Sequence, residues 1–349
     1  MSRSFVVASL MWCVACGPTA VHGNGSDDAG NNNNNTGGAD AAACATASVS
    51  AQQSPLDLYI MLDQSGSMNE IVSGGVTKWS AVTGALSSFL TQPGLSGISV
   101  GLQYFGLQTA THQPSCTASD YATAAVEIAP LPGAATALTT SISAHSPNSG
   151  TPTSAALQGA IDHASSWASA HAGDVSAVVL ATDGDPAQCD TNLANIDAIA
   201  AAGFAAAPKI STFVIGVGSS LSSLNGIAAA GGTTSAFIVD TTTNVNQQFL
   251  AAMNAIRNSA SCTYQIPLPS SGTADYTQVN VVFTPIGGSA TTIPNVPNKA
   301  ACPASGDGWY YDNPASPTAI LLCGTTCGAV QTSGSGTVQI TLGCQTVIL

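Results

Sequence analysis

The chain has 349 residues, of which 45% are hydrophobic and only 7% are charged, so it holds enough apolar material for a sizeable core. Lysine and arginine total 5 against 18 aspartates and glutamates, which gives a formal charge of −13. Such an acidic chain repels nucleic-acid phosphates and anionic lipid headgroups, which argues against nucleic-acid binding and against electrostatic docking to a membrane.

The N-terminus has the pattern of an export signal. Arg3 precedes an apolar run from Phe5 to Ala15, which has the length of a signal-peptide core and is too short to span a bilayer. We therefore expect the protein to be exported.

Residues 14–17 (VACG) resemble the bacterial lipoprotein box, in which a cysteine is lipidated and becomes the mature N-terminus; Cys13 stands where leucine is usual. The resemblance implies a signal peptide over residues 1–16 and lipidation at Cys16, which would be the only attachment to a membrane. Because Gly17 rather than aspartate follows, it also implies a place at the outer membrane or cell surface. The alternative is ordinary signal cleavage that discards both cysteines.

Residues 17–43 consist mainly of glycine, asparagine, aspartate and alanine. They offer almost nothing to bury and are predicted to form a disordered tether.

From residue 55, strand and helix patterns alternate. The predicted strands are Leu56–Asp63, Ile98–Phe105, Ser176–Asp183, Phe213–Gly218 and Ala236–Asp240, and the predicted helices are Lys78–Leu90, Pro152–His171, Asn192–Ala206, Leu221–Ala230 and Asn244–Ser259. Tyr121–Ile128 has the character of a further strand, with an antiparallel edge as one option. The alternation predicts an α/β domain over residues 55–260 with a doubly wound, mostly parallel sheet, whose ligands bind at the carboxyl ends of its strands.

Residues 262–349 have strand-like stretches broken by turn residues and no helical pattern. They predict a small disulfide-rich β domain, to which residues 45–52 could add a strand.

Ten cysteines indicate an oxidising compartment. Cys116 follows the second strand and Cys189 follows the fourth, so we expect a disulfide between them at the carboxyl edge of the sheet. The pairing of the other six mature cysteines stays open, with Cys302–Cys323 favoured. The spacing of Cys323 and Cys327 would also suit zinc, but no histidine follows His171 and export favours disulfides.

The first buried strand ends in a D-x-S-x-S pattern formed by Asp63, Ser65 and Ser67. Thr151 follows a glycine just before a predicted helix, and Asp183 lies in a T-D-G sequence at the end of a later strand. This set resembles the metal-ion-dependent adhesion site of the von Willebrand factor type A family, across about residues 55–260.

The resemblance implies a divalent cation held by five side chains, called the five predicted ligands below: Asp63, Ser65, Ser67, Thr151 and Asp183. Oxygen donors suit Mg²⁺ or Mn²⁺, with Ca²⁺ less favoured. The family resemblance also implies that the cation takes an exposed Asp or Glu carboxylate of a protein partner. Asp185 could position a ligand or be a plain loop acid, and we favour the latter.

These features predict a metal-dependent adhesion or protein-binding module on the bacterial envelope. A second hypothesis is a structural or assembly lipoprotein in which the metal only stiffens loops. An enzyme is the third and least favoured, because the sequence has no P-loop lysine, no G-x-S-x-G and no H-E-x-x-H pattern.

Overall fold

The computed structural model describes residues 47–51, 53–260, 262–266, 275–332, 336–343 and 346–349. The predicted signal peptide, the lipidation site Cys16 and the predicted tether lie outside the described residues, as do Cys44 and Cys344.

A six-stranded sheet, together with the helices that cover it, forms the larger part of the described chain. Strands are numbered along the chain, and β1 (Ala47–Ser50) belongs to a second sheet. The six strands are β2 (Leu56–Asp63), β3 (Ile98–Phe105), β4 (Val126–Pro130), β5 (Val175–Thr182), β6 (Ser211–Val217) and β7 (Phe237–Val239). Their order is β4-β3-β2-β5-β6-β7, with β4 antiparallel at one edge and all other pairs parallel. The predicted doubly wound, mostly parallel sheet is therefore confirmed.

Helices cover both faces of this sheet. They are α1 (Lys78–Leu90), α2 (Ala118–Tyr121), α3 (Ala135–Ala144), α4 (Thr153–Ala170), α5 (Leu193–Ala205), α6 (Asn225–Ala230) and α7 (Val245–Ala260). Along β2, Leu58 and Ile60 pack into the core under α1, α3 and α7, whereas Tyr59 and Met61 pack into the core under α2, α4, α5 and α6. Burial on both faces explains why this strand is a near-continuous apolar run. None of the helices among the described residues has the length and hydrophobicity to cross a bilayer.

One predicted feature of this domain needs correction, and one helix was not predicted. Tyr121 ends the short helix α2 rather than starting a strand, and the strand that follows it is β4, which pairs antiparallel with β3. Helix α3 was not predicted, because threonines and serines interrupt its sequence and only Ala135, Leu138 and Ile142 of it are buried. Their spacing nevertheless places them on one face of a helix.

The strand order creates a crevice between β2 and β5. The chain leaves β2 towards β3 on one side and leaves β5 towards β6 on the other, so the two loops diverge at the carboxyl ends of neighbouring strands. Asp63 is the last residue of β2, and Asp183 comes directly after β5.

The described residues of the C-terminal part form two antiparallel sheets around one core. Its strands are β8 (Thr263–Gln265), β9 (Val279–Thr284), β10 (Thr291–Ile293), β11 (Trp309–Tyr311), β12 (Ala319–Leu322) and β13 (Thr337–Leu342). The sheet orders are β1-β13-β9-β10 and β11-β12-β8, and Trp309 is fully buried in the shared core. The β1 pairing with β13 joins the segment before the α/β domain to this part.

One helix in the C-terminal part contradicts the sequence expectation of strands alone. Helix α8 (Gly324–Thr332) is rich in glycine and threonine, which have low helix propensity, so no helical pattern is visible. Cystines hold its start: Cys323 is bonded to Cys302, and Cys327 is bonded to Cys262 just after α7.

The C-terminal part contacts the central sheet at the amino ends of the strands. Ser54, just before β2, donates its backbone N–H to Thr263 O (3.1 Å). Gln265 Nε2 donates to the carbonyl of Gly173, just before β5 (2.7 Å). The carboxyl ends, where the predicted metal ligands lie, are at the opposite edge.

Candidate metal site

The loop after β2 folds back on its own first carboxylate. The backbone N–H of Ser65 donates to Asp63 Oδ1 (2.7 Å), and the hydroxyls of Ser65 and Ser67 lie 2.9 Å apart. Asp63 and Ser65 are buried. The D-x-S-x-S spacing thus places one carboxylate and two hydroxyls on a single turn.

Asp183 brings a second carboxylate to the same turn. Its Oδ1 accepts from Ser67 Oγ (2.7 Å) and, at 3.4 Å, from Ser65 Oγ. From the neighbouring position, Thr182 Oγ1 donates to Asp63 Oδ2 (2.7 Å), which ties the end of β5 to the end of β2. Four of the five predicted ligands are therefore linked through one hydrogen-bond network.

The fifth, Thr151, is held beside this network through its backbone. The N–H of Gly66 donates to Ser149 O (2.8 Å), which places the segment leading to Thr151 against the D-x-S-x-S turn. Thr151 is buried, its N–H donates to Gln188 Oε1, and its carbonyl accepts from Ala187 N (3.2 Å).

A disulfide lies directly behind this contact. Cys189, next to Gln188, is bonded to Cys116 in the structure. Cys189 also has a left-handed backbone conformation with φ of 65°, which non-glycine residues rarely adopt. The disulfide therefore fixes the loop after Asp183, and this loop also holds Thr151 through Gln188.

Burial and the neighbouring carboxylate of Asp183 make Asp63 harder to ionise. Burial, followed by the charge of Asp183, raises the pKa of Asp63 to about 6, although hydrogen bonds from Thr182 and Ser65 act in the opposite direction. A divalent cation would relieve this repulsion.

Lys78 forms ion pairs with both Asp183 and Glu70, and the sequence analysis did not predict these two contacts. Lys78 Nζ lies 2.9 Å from Asp183 Oδ2 and 2.6 Å from Glu70 Oε2. Burial alone would lower the pKa of Lys78, but the hydrogen bonds to Glu70 and Asp183 outweigh it and the pKa is raised. The sequence did contain one indication of a role for Lys78: it is one of only five lysines and arginines, and it begins the helix that follows the D-x-S-x-S loop.

The donor set fits a hard divalent cation. Among the described residues no group of three or more His, Cys, Asp or Glu side chains is arranged to hold a metal, so hydroxyl oxygens have to complete any coordination here. Hydroxyl and carboxylate oxygens are ligands that suit Mg²⁺, Mn²⁺ and Ca²⁺. Asp185 is exposed and accepts from the hydroxyl of Ser223, as a loop acid would.

The chain is similar to several solved structures at low sequence identity. BatB from Bacteroides thetaiotaomicron is 16% identical with a TM-score of 0.41, and the match covers 58% of this chain and 100% of that one. Proximal thread matrix protein 1 from the mussel byssus, in a structure with a zinc-occupied MIDAS motif, is 13% identical with a TM-score of 0.41; the match covers 62% of this chain and 50% of that one. Manganese-loaded TRAP protein from Plasmodium vivax is 13% identical with a TM-score of 0.38, and the match covers 80% of this chain and 96% of that one.

No curated protein has a significant match to the chain. The family model of the von Willebrand factor type A domain matches residues 57–251, which is more than half of the sequence. The matched segment runs from β2 into α7 and includes all five predicted ligands. The chain therefore belongs to the von Willebrand factor type A domain family.

Proposed function

We propose that the protein is a metal-dependent protein-binding module of the adhesion type. The five predicted ligands hold one divalent cation, and the cation binds an exposed Asp or Glu side chain of a protein partner. The observation that carries this proposal is the convergence of Ser65, Ser67 and Asp183 within 3.4 Å on the loop of Asp63.

Charge explains why such a site would favour an acidic partner. Asp63 and Asp183 together balance a divalent ion, and the three hydroxyls add no negative charge. The ion keeps its attraction for one more carboxylate, because a Mg²⁺-type ion prefers a full octahedron of oxygens. Mg²⁺ or Mn²⁺ is the proposed occupant, with Ca²⁺ less favoured because it takes more oxygens and longer bonds.

Binding rather than catalysis is the proposed role. Domains of this family typically act as non-enzymatic interaction modules. In this site both carboxylate oxygens of Asp63 accept hydrogen bonds, from the N–H of Ser65 and the hydroxyl of Thr182, which orient the carboxylate as a metal ligand is oriented.

Affinity capture tests the proposal. Immobilised wild-type protein is incubated with envelope extract of the producing bacterium in Mg²⁺ or in chelator, alongside Asp183→Ala and the matched control Asp185→Ala. We expect proteins that bind the wild type and the control in Mg²⁺, elute with chelator, and fail to bind Asp183→Ala although it remains folded.

The structural alternative gives the opposite result. If the metal only stiffens loops of an envelope assembly protein, the captured proteins will be the same with and without chelator. That outcome would refute the bridging mechanism.

We further propose that the protein is an exported lipoprotein of the outer membrane or cell surface, anchored through Cys16. Cys16→Ser should release it from the membrane fraction and abolish incorporation of labelled palmitate, whereas Cys13→Ser should do neither. Equal labelling of both variants would contradict lipidation at Cys16.

A further inference from the structure

Lys78 is an unusual residue for its place in the fold. It is buried, although the chain has only five basic residues with which to meet 18 acidic ones. It is also the first residue of α1, where the positive end of the helix dipole disfavours a cation, and the first turn contains no acidic residue to compensate. Local helix stability therefore does not account for Lys78.

The contacts of Lys78 point to the site instead. Asp183, whose side chain is fully buried, divides its two oxygens between two neighbours: Oδ1 accepts from the hydroxyls of Ser65 and Ser67, and Oδ2 accepts from Lys78 Nζ at 2.9 Å. One oxygen thus faces the other predicted ligands, and the other is already bound to a positive charge.

Glu70 anchors the ammonium without cancelling it. Its carboxylate is 2.6 Å from Lys78 Nζ, but the Glu70 side chain is 65% exposed, so water screens its charge. The backbone N–H of Lys78 also donates to Glu70 O (2.9 Å), which fixes the start of α1 against the loop. Lys78 is therefore held beside Asp183 with most of its positive charge uncompensated by Glu70.

We propose that Lys78 is a resident counter-ion of Asp183 that competes with the divalent cation and weakens its binding. This inference rests on the proposed metal site. Without metal, the ammonium offsets part of the repulsion between Asp63 and Asp183. When a divalent ion binds, the two cations share one buried carboxylate and repel each other, so the metal binds more weakly than it would without Lys78.

A metal titration tests the proposal. Mn²⁺ binding is measured by calorimetry for wild type, for Lys78→Met and Lys78→Gln, and for the matched control Lys209→Met. Lys209 is exposed and lies just before β6, at the amino ends of the strands, far from the predicted ligands. Replacing it changes the net charge of the protein by the same amount as replacing Lys78. We expect both neutral Lys78 variants to bind Mn²⁺ about tenfold or more tightly than wild type, because a unit charge within a few ångströms is weakly screened at a buried site; Lys209→Met should stay within about twofold.

The metal-free melting temperature provides a second readout. In chelator, both Lys78 variants should have a lower melting temperature than wild type. Adding Mn²⁺ should raise their melting temperature by more than it raises that of wild type. Unchanged or weaker Mn²⁺ binding by the folded variants would overturn the proposal, and so would a failure to fold even with Mn²⁺, since Lys78 would then be a structural requirement. Absence of Mn²⁺ binding in wild type and in both variants would instead refute the proposed metal site, and this inference with it.

Discussion

Two buried carboxylates and one buried ammonium dominate the site at the scale of residues. Asp63 is fully buried, and its pKa of about 6 lies above its usual 3.8, first because of burial and then because of Asp183. In the metal-free protein the folded state therefore holds this proton to higher pH than the unfolded chain does. Linkage then requires the contribution of Asp63 to stability to fall as pH rises from about 4 to about 6.

Asp63→Asn should remove that pH dependence. The pKa difference corresponds to a loss on the order of 3 kcal/mol in the free energy of unfolding across the window. In chelator, we expect the free energy of unfolding of wild type relative to Asp63→Asn to fall between pH 4 and pH 7, measured by urea unfolding. The control Asp185→Asn should follow wild type; a parallel course of wild type and Asp63→Asn would contradict the prediction.

The five predicted ligands come from sequence motifs, whereas the groups that contact them could not be found in the sequence. Each ligand follows a strand or precedes a helix in a recognisable motif, so chain order alone suggests the set. Lys78 reaches Asp183 across 105 positions, and Gln188 reaches Thr151 across 37. Such contacts depend on how loops pack after folding, and no local pattern encodes them.

At the scale of elements, the site is supported from behind by the loop that follows β5. The Cys116–Cys189 disulfide ties this loop to the segment after β3, across a sequence separation of 73, and Gln188 beside it accepts from the backbone of Thr151. The disulfide should therefore contribute both to stability and to metal binding.

Replacing both Cys116 and Cys189 by serine tests this dual role. We expect the free energy of unfolding to fall by about 2–4 kcal/mol, from the loss of chain constraint. We also expect Mn²⁺ affinity to fall about tenfold, since groups that orient metal ligands have effects of this size. Urea unfolding and calorimetry measure the two effects; an unchanged Mn²⁺ affinity would show that the loop holds Thr151 without the cystine.

Elements with a strong hydrophobic pattern were the easiest to predict from sequence. The bounds predicted for β2, α1 and β3 are those in the structure, because an apolar run or a clear helical period marks each of them. Helices α3 and α8 were missed because small polar residues blur the period in α3 and because α8 depends on cystines and tertiary packing. Burial and covalent constraint there override local preference.

In the molecule as a whole, the C-terminal part and the predicted metal ligands lie at opposite ends of the central strands. The C-terminal part contacts the amino ends of β2 and β5, and β1, the first described strand, belongs to that part. The predicted metal ligands lie at the carboxyl ends, away from this attachment. The first described strand therefore lies on the side of the molecule away from the predicted metal ligands.

This arrangement predicts that stability and metal binding can be separated. Replacing Cys262 and Cys327 by serine removes the cystine between α7 and α8 and should lower the free energy of unfolding by about 2–4 kcal/mol. Mn²⁺ affinity should stay within about twofold of wild type, a difference below about 0.5 kcal/mol, in contrast to the Cys116 and Cys189 variant. The reason is that this cystine lies in the part that contacts the amino ends of the strands, away from the predicted ligands. A large loss of affinity would show that the C-terminal part shapes the site from a distance.

The most direct test of the metal site is anomalous diffraction from Mn²⁺-soaked crystals of the wild-type protein and of Asp183→Ala. We predict one strong anomalous peak in the wild type, enclosed by the five predicted ligands at the carboxyl ends of β2 and β5, and no peak there in Asp183→Ala. A wild-type crystal with no peak at this position, or with its peak bound only to other residues, would contradict the account.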